Sequence, residues 1–189
     1  MQGYMDRISQ VLDAQPEPVV LVGHSSGSMV IRKAAEQPPD KIEMLLYVGA
    51  YPLRNSEVAL SAYGNYTKSL VLLKLAISED GLSTTLREEA IREGLLDDVS
   101  DENVERAKSR FEPQAVAALA TPVALTEDNV GRIPRVYIET LKNRAISPSL
   151  QKEMYEWLPC QKVISMNTGH WAFYCAPKEL VDHLTSLLA

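Results

Sequence analysis

Five residues, Gly23-His24-Ser25-Ser26-Gly27, hold a serine between two glycines at the end of an apolar run, Pro18-Val19-Val20-Leu21-Val22, and just ahead of a helical pattern. Strand, tight turn and helix in that order lift a hydroxyl to the tip of the turn, the layout of a nucleophile elbow. A serine hydroxyl is a poor nucleophile near neutral pH and needs an adjacent base. The chain has three histidines. His24 lies inside the turn, where its side chain should point away from the hydroxyl, and reads as structural. His183 falls in a C-terminal helical pattern and reads as a surface or packing residue. His170 lies in the loop Met166-Asn167-Thr168-Gly169-His170 after an apolar strand, on the edge expected to carry the elbow, and is the candidate base. Gly169 would admit a close backbone approach beside it. The plainer reading of the same residues is a glycine-rich turn with an N-cap serine and an unrelated, satisfied histidine.

A base of this kind needs a third group to orient its ring and to stabilise the imidazolium. The expected place is the loop after Arg135–Thr140, where Asn143 stands between Lys142 and Arg144. An asparagine orients a ring but offers it no charge. Glu57, after the second strand, is the alternative carboxylate, and Glu139, within a strand, a poorer one. The oxyanion of an acyl-transfer intermediate needs backbone donors. The Ser26 N–H is one; the second normally comes from a loop after an earlier strand, and no strand precedes the elbow strand here. Loss of one such donor costs on the order of 10²–10³ in turnover.

The elements that must hold these groups follow from the apolar pattern. Residues 1–14 carry a helical stripe (Tyr4, Met5, Ile8, Val11, Leu12), stopped by Pro16 and Pro18. Val19–Gly23, Ile42–Ala50, Arg135–Thr140 and Lys162–Met166 read as buried strands. Helices are expected over about 26–37, 148–158 and 177–188, the second with Ser147 as N-cap and Pro148 at its first position. Residues 51–129 show helical spacing and no strong strand. The fold class is α/β: a parallel sheet of about four strands flanked by helices, with residues 1–50 and 130–189 as its core and 51–129 as a small helical cap over the carboxyl ends of the strands. Tyr63, Tyr66, Leu70 and Leu73 of the cap are candidates to line a pocket, although ordinary helix packing produces the same spacing.

At 189 residues the chain suits one domain with a substantial core. A formal charge of −6 with no basic run argues against nucleic acid and anionic membrane as partners. The longest strongly apolar stretch, near Leu70 to Ile77, is too short to span a bilayer, and the first residues have no secretory pattern. Cys160 and Cys175 sit in no metal-ligand spacing and read as reduced packing residues of a cytoplasmic protein. No metal or cofactor is expected.

The chain resembles the hydroxynitrile lyase and plant methyl-ester esterase branch of the α/β-hydrolases, with closest similarity to bacterial hydrolase members. The matching stretches are VVLVGHSSGSMVIRKAAEQPPDKIEMLLYVGAYP, FEPQAVAALATPVALTEDNVGRIPRVYIET and RAISPSLQKEMYEWLPCQKVISMNTGHWAFYCAPKELVDHL. The resemblance implies Ser25 as nucleophile, His170 as general base, position 143 as the acid (Asp in the family, Asn here) and the Ser26 N–H in the oxyanion hole. It implies a helical cap lining an apolar pocket and, as the reaction, hydrolysis of a small apolar carboxylic ester. Lyase activity is not expected, because those lyases carry a lysine after the histidine and this chain carries Trp171. The family also places four strands before the elbow, so the expected fold is a truncated α/β-hydrolase fold with Val19–Gly23 at an edge. An apolar edge pairs readily with another chain, which makes a homodimer or a completing subunit the expected partner. The alternative function is a catalytically impaired relic that binds a small apolar ligand.

Overall fold

Side chains of one strand set the layers. Along Ile42–Val48, Leu45 and Tyr47 bury against one face of a sheet, while Leu46 and Val48 bury against the other. A strand apolar on both faces belongs in the middle of a parallel sheet with helices on either side. The computed structural model, which describes residues 2–37, 39–64, 69, 71 and 74–188, has that arrangement.

In chain order the core elements are α1 (Gln2–Asp13), β1 (Val19–His24), α2 (Gly27–Ala34) and β2 (Ile42–Val48). An insert follows, with α3 (Ala59–Gly64), β3 (Leu75–Ile77), β4 (Ser83–Leu86), α4 (Glu88–Ala90, continued by a π-helical turn, Ile91–Leu95), α5 (Asp101–Lys108), β5 (Gln114–Ala115) and α6 (Val116–Ala120). The core resumes with β6 (Arg135–Thr140), α7 (Pro148–Trp157), β7 (Lys162–Met166), α8 (Ala172–Cys175) and α9 (Pro177–Ser186). The sheet order is β1-β2-β6-β7, and every pair is parallel. On one face Leu45, Tyr47 and Tyr137 pack with Leu12 of α1, Met29 of α2, and Leu150 and Met154 of α7. On the other, Leu46, Val48, Val136, Ile138 and Met166 pack with Leu180 of α9.

Register decides what meets at the carboxyl ends. His24 lies opposite Val48, Val48 opposite Ile138, and Thr140 opposite Met166. The turn after β1, the loop after β6 and the loop after β7 therefore open on one edge. Two further backbone bonds, Leu141 N–H to Met166 O and Lys142 N–H to Thr168 O, both 2.9 Å, carry the β6–β7 pairing past the strand ends. They hold the segment that bears Asn143 beside the segment that bears His170. Helix α7 begins as its sequence predicts, with the Ser147 hydroxyl accepting the Leu150 N–H and Pro148 in the first turn.

Beyond the four-strand sheet, the insert carries a small antiparallel sheet in the order β3-β4-β5 beside its helices. These strands are two to four residues long, too short to show alternation. The Asp80-Gly81 turn between β3 and β4 was the readable sign of a hairpin; the Asp80 carboxylate accepts both the Leu82 N–H and the Ser78 hydroxyl. Of the cap residues expected to line a pocket, Tyr66, Leu70 and Leu73 lie outside the described residues, as does the side chain of Tyr63. Strand β1 is an edge of the described sheet, and Val22 on it is 47% exposed. No described helix is long and apolar enough to cross a membrane.

The Tyr137 hydroxyl, fully buried, donates to the Ala50 carbonyl at 2.6 Å and accepts the Ala50 N–H at 3.0 Å, which pins the chain as it leaves β2. Tyr137→Phe leaves both backbone groups without that partner. It is expected to lower unfolding stability by about 1–3 kcal/mol in urea titration; a midpoint matching the parent would contradict the assignment.

Candidate active site

The elbow is strained where it presents its hydroxyl. Ser25 has φ of +51°, in the left-handed region that non-glycine residues rarely occupy. Local bonds hold it there: the Ser25 N–H donates to the Val48 carbonyl, and the Ser25 carbonyl accepts from the Ser28 hydroxyl at 2.7 Å and the Ser28 N–H at 3.1 Å. Gly23 is needed for the fit, since a Cβ there would lie 2.8 Å from Ile31 Cδ1 and 2.9 Å from the Ser28 backbone. Gly27 has open space around it, so the second glycine of the motif is not required sterically. Among the described residues the Ser26 N–H makes no hydrogen bond, and it stands at the start of α2 beside the serine.

Asn143 sits where a carboxylate would be well served. Its Oδ1 accepts the Ala145 and Ile146 N–H groups at 2.9 and 2.8 Å. Its Nδ2 lies 2.9 Å from Thr140 Oγ1 and 2.9 Å from His170 Nδ1. Because an amide is distinguished end from end only by its partners, the two backbone donors fix it: turning the amide over would point its NH₂ at two N–H groups. Thr140 is consistent, accepting from Asn143 while its hydroxyl faces Gln151 Oε1. Asn143 therefore donates to His170 Nδ1. A neutral imidazole that accepts at Nδ1 carries its proton on Nε2. The alternative contact, His170 Nδ1 to Asn143 Oδ1, is longer, at 3.2 Å, and competes for an oxygen that already accepts twice.

His170 is buried, and its ring lies 4.5 Å from the ring of His24. The His24 Nε2–H donates to the His170 carbonyl at 2.8 Å, while Phe173 meets His24 edge-on at 5.1 Å. His24 thus braces the backbone of the loop that carries His170. Burial pulls His24 down to about 4, partly opposed by that backbone bond. Burial, and then the charge that His24 would carry, hold His170 well below the ordinary histidine value. Among the described residues no carboxylate reaches either ring to counter this. Glu57 accepts the Arg54 N–H, and Glu139 pairs with Ser165 and Tyr155 on another part of the sheet, so neither contacts His170.

Several residues that sequence reading passed over hold the two loops in place. Asp98, from the insert, accepts the Gly169 N–H and the Cys175 thiol, and Asp97 pairs with Arg144 at 3.0 Å. A Cβ at Gly169 would lie 2.8 Å from Asp98 Cγ, so the glycine makes room for a carboxylate rather than for a backbone. Gln151, fully buried on α7, accepts the Thr140 N–H and donates to the Thr140 and Ile146 carbonyls. Asp97-Asp98 follows a helical pattern and reads in sequence as a solvated end; only the fold brings it to Gly169. Both cysteines are free, with burial raising Cys160 to about 11, and burial together with Asp98 raising Cys175 to about 12.

Ser25, Ser26, His24 and His170 open on one pocket of about 300 Å³, roofed by Leu75, Leu86, Leu95 and Leu119 of the insert and walled by Phe111 and Trp171. Asn143 lies behind His170, out of the pocket. A larger, more open hollow of about 490 Å³ at the opposite end of the strands, lined by Glu17, Asp40, Glu43 and Arg132, contains neither nucleophile nor base. Among the described residues no group of three or more His, Cys, Asp or Glu side chains is placed to hold a metal ion.

A sequence model described as the alpha/beta hydrolase family matches residues 2–183. Methylesterase 2 of Arabidopsis thaliana is 26% identical over 197 residues, an alignment covering 97% of this chain and 75% of that protein. A pyrethroid hydrolase of Sphingobium wenxiniae is 27% identical over 198 residues, covering 96% and 68%. Among solved structures, polyneuridine aldehyde esterase superposes with a TM-score of 0.83 at 22% identity, over 98% of this chain and 78% of that one. The structural likeness speaks to the fold.

The buried His170 ring and the half-buried His24 ring are neutral in the folded protein near pH 7, whereas an unfolded chain takes up protons on them below about pH 6.5. Their contribution to stability is therefore full above pH 6.5 and lost as pH falls from there toward 4, at up to about 1.4 kcal/mol per pH unit for each proton bound on unfolding. The urea midpoint is expected to fall between pH 7 and 5, and to fall less in His24→Gln, which keeps a side-chain donor. An equal decline in both proteins would contradict a neutral His24.

Proposed function

The chain belongs to the α/β hydrolase family, and from that premise we propose that it hydrolyses a small apolar carboxylic ester through an acyl-enzyme on Ser25. The observation that carries this reading is the strained Ser25 at the mouth of an apolar pocket that His170 and Ser26 also line. In this reading Ser25 Oγ attacks the ester carbonyl and passes its proton to His170 Nε2. The oxyanion takes a hydrogen bond from the Ser26 N–H. His170 returns the proton to the leaving alkoxide, and water then releases the acid. That Methylesterase 2 and a pyrethroid hydrolase are relatives supports ester chemistry of this kind.

The proton transfer needs His170 Nε2 to be bare, hence its proton on Nδ1. Asn143 favours the opposite tautomer, so the reactive form must exchange the 2.9 Å bond from Nδ2 for the 3.2 Å contact to Oδ1. The reading is accordingly of a slow hydrolase. The same bond favours a second reading, an impaired relic that binds a small apolar ligand beneath the insert. For partners, we propose a small ester substrate and pairing along β1 with a second copy or a completing chain, supported by the exposed edge at Val22. The free thiols support a reducing, cytoplasmic location.

A fluorophosphonate probe is expected to label the folded protein and to fail on Ser25→Ala; folded parent that stays unlabelled sinks the hydrolase reading. Asn143→Asp supplies a charged acceptor to Nδ1, keeps the Ala145 and Ile146 donors, and turns the Thr140 hydroxyl from acceptor to donor. It should raise turnover of a p-nitrophenyl ester by roughly 10²–10⁴, the reverse of the loss that Asp→Asn causes in a serine protease. An unchanged rate would remove Asn143 from the mechanism.

A further inference from the structure

Both phenylalanines of the chain and one of its two tryptophans gather at the margin of the main core, with Phe111 and Trp171 packed against it. Phe111 and Trp171 stand nearly parallel, centroids 5.5 Å apart and planes 16° from each other. Tyr174 and Phe173 stack on Trp171 in turn, each at 5.4 Å. These rings are not closed over: Phe173 is 41% exposed. They wall a second, open hollow of about 290 Å³, with the exposed Arg110 and Glu112 beside it. Phe111, Glu112 and Trp171 line both this hollow and the pocket of Ser25, so the two adjoin at these residues.

An apolar surface left open beside a reactive serine calls for an occupant, and the chemistry of the serine says which part of a substrate it faces. When the ester C–O bond breaks, the Ser25 Oγ–carbonyl bond has formed, and the serine's proton passes through His170 to the departing alkoxide. The alcohol half must therefore lie on the His170 side. Trp171, the next residue in the chain, lines both the pocket and the hollow. The acyl half is left with the leucine-roofed chamber. Aromatic rings pack face-to-face or edge-on against flat partners and contribute beyond simple burial.

We propose that this outer hollow is a subsite for a flat aryl group carried by the alcohol half of the ester, so that the preferred substrates are short aliphatic acyl esters of arylmethyl alcohols. The proposal rests on the hydrolase reading for its orientation, and its test separates the two.

The binding arm uses Ser25→Ala, which cannot turn over, titrated with 2-naphthalenemethanol while tryptophan emission is followed. A saturable change is expected, about three- to tenfold weaker when Phe173→Ala is added, the size of one aromatic contact. Tyr174→Leu, a second variant, should weaken it similarly. The kinetic arm compares benzyl butyrate with cyclohexylmethyl butyrate, which differ in flatness rather than bulk. The ratio of kcat/KM should favour benzyl and fall by about three- to tenfold in Phe173→Ala. Saturable binding that Phe173→Ala weakens, with neither ester hydrolysed, upholds the subsite and removes the hydrolase reading. Hydrolysis of both esters without aryl preference, or naphthyl binding indifferent to Phe173 and Tyr174, overturns the subsite.

Discussion

The chemistry of this site turns on which end of one buried amide faces the histidine. Two backbone N–H groups, from Ala145 and Ile146, claim Asn143 Oδ1, and the NH₂ end is left to His170. With an aspartate in the same place, four donors would converge on one carboxylate: the two N–H groups, the Thr140 hydroxyl and the ring N–H. The surroundings are thus those of an anion, and a neutral group occupies them. Ser25 and His170 still line one pocket, while the direction of the hydrogen bond between residue 143 and His170, and with it the position of a proton, is reversed.

The rest of the fold delivers that contact and keeps it rigid. Parallel register sets the three loops at one edge; the two backbone bonds beyond β6 and β7 close them on each other. Gln151 locks the loop after β6 from behind, and the insert reaches down with Asp97 and Asp98 to the neighbours of Asn143 and His170. The insert is therefore both a roof over the pocket and a clasp on its two loops. A carboxylate does lie near the site, but it holds the backbone at Gly169 and leaves the ring uncharged. Desolvation then lowers His170, and lowers His24 against only the partial opposition of its bond to the His170 carbonyl, which keeps both neutral well below the usual range.

Much of this was legible in the residues. The spans of β6 and β7, the start of α7 at Ser147-Pro148 and the strand–turn–helix around Ser25 follow from apolar runs and capping chemistry, which are local. The placement of Asn143 beside His170 was legible from chain order at the sheet edge. What sequence could not supply was contact across the chain. The amide's orientation depends on Thr140, Ala145 and Ile146 together, and Asp98 meets Gly169 across 71 positions. Glu57 and Glu139, reasonable stand-ins for an acid by position, are turned to other partners. The short strands of the insert escaped because they are held by a neighbouring hairpin and not by their own alternation. The stack of Phe111 on Trp171 joins residues sixty positions apart, and no periodicity announces it.

The chemistry of the pocket rests on where His170 carries its proton. Nitrogen-15 NMR of the imidazole, in protein labelled at histidine and held at pH 7, reads this directly through the shifts of the two ring nitrogens and their couplings to the carbon-bound protons. The structure predicts a neutral ring with the proton on Nε2 and a bare Nδ1, changing to an Nδ1-protonated ring in Asn143→Asp. A parent His170 already protonated on Nδ1, or charged at pH 7, would contradict it.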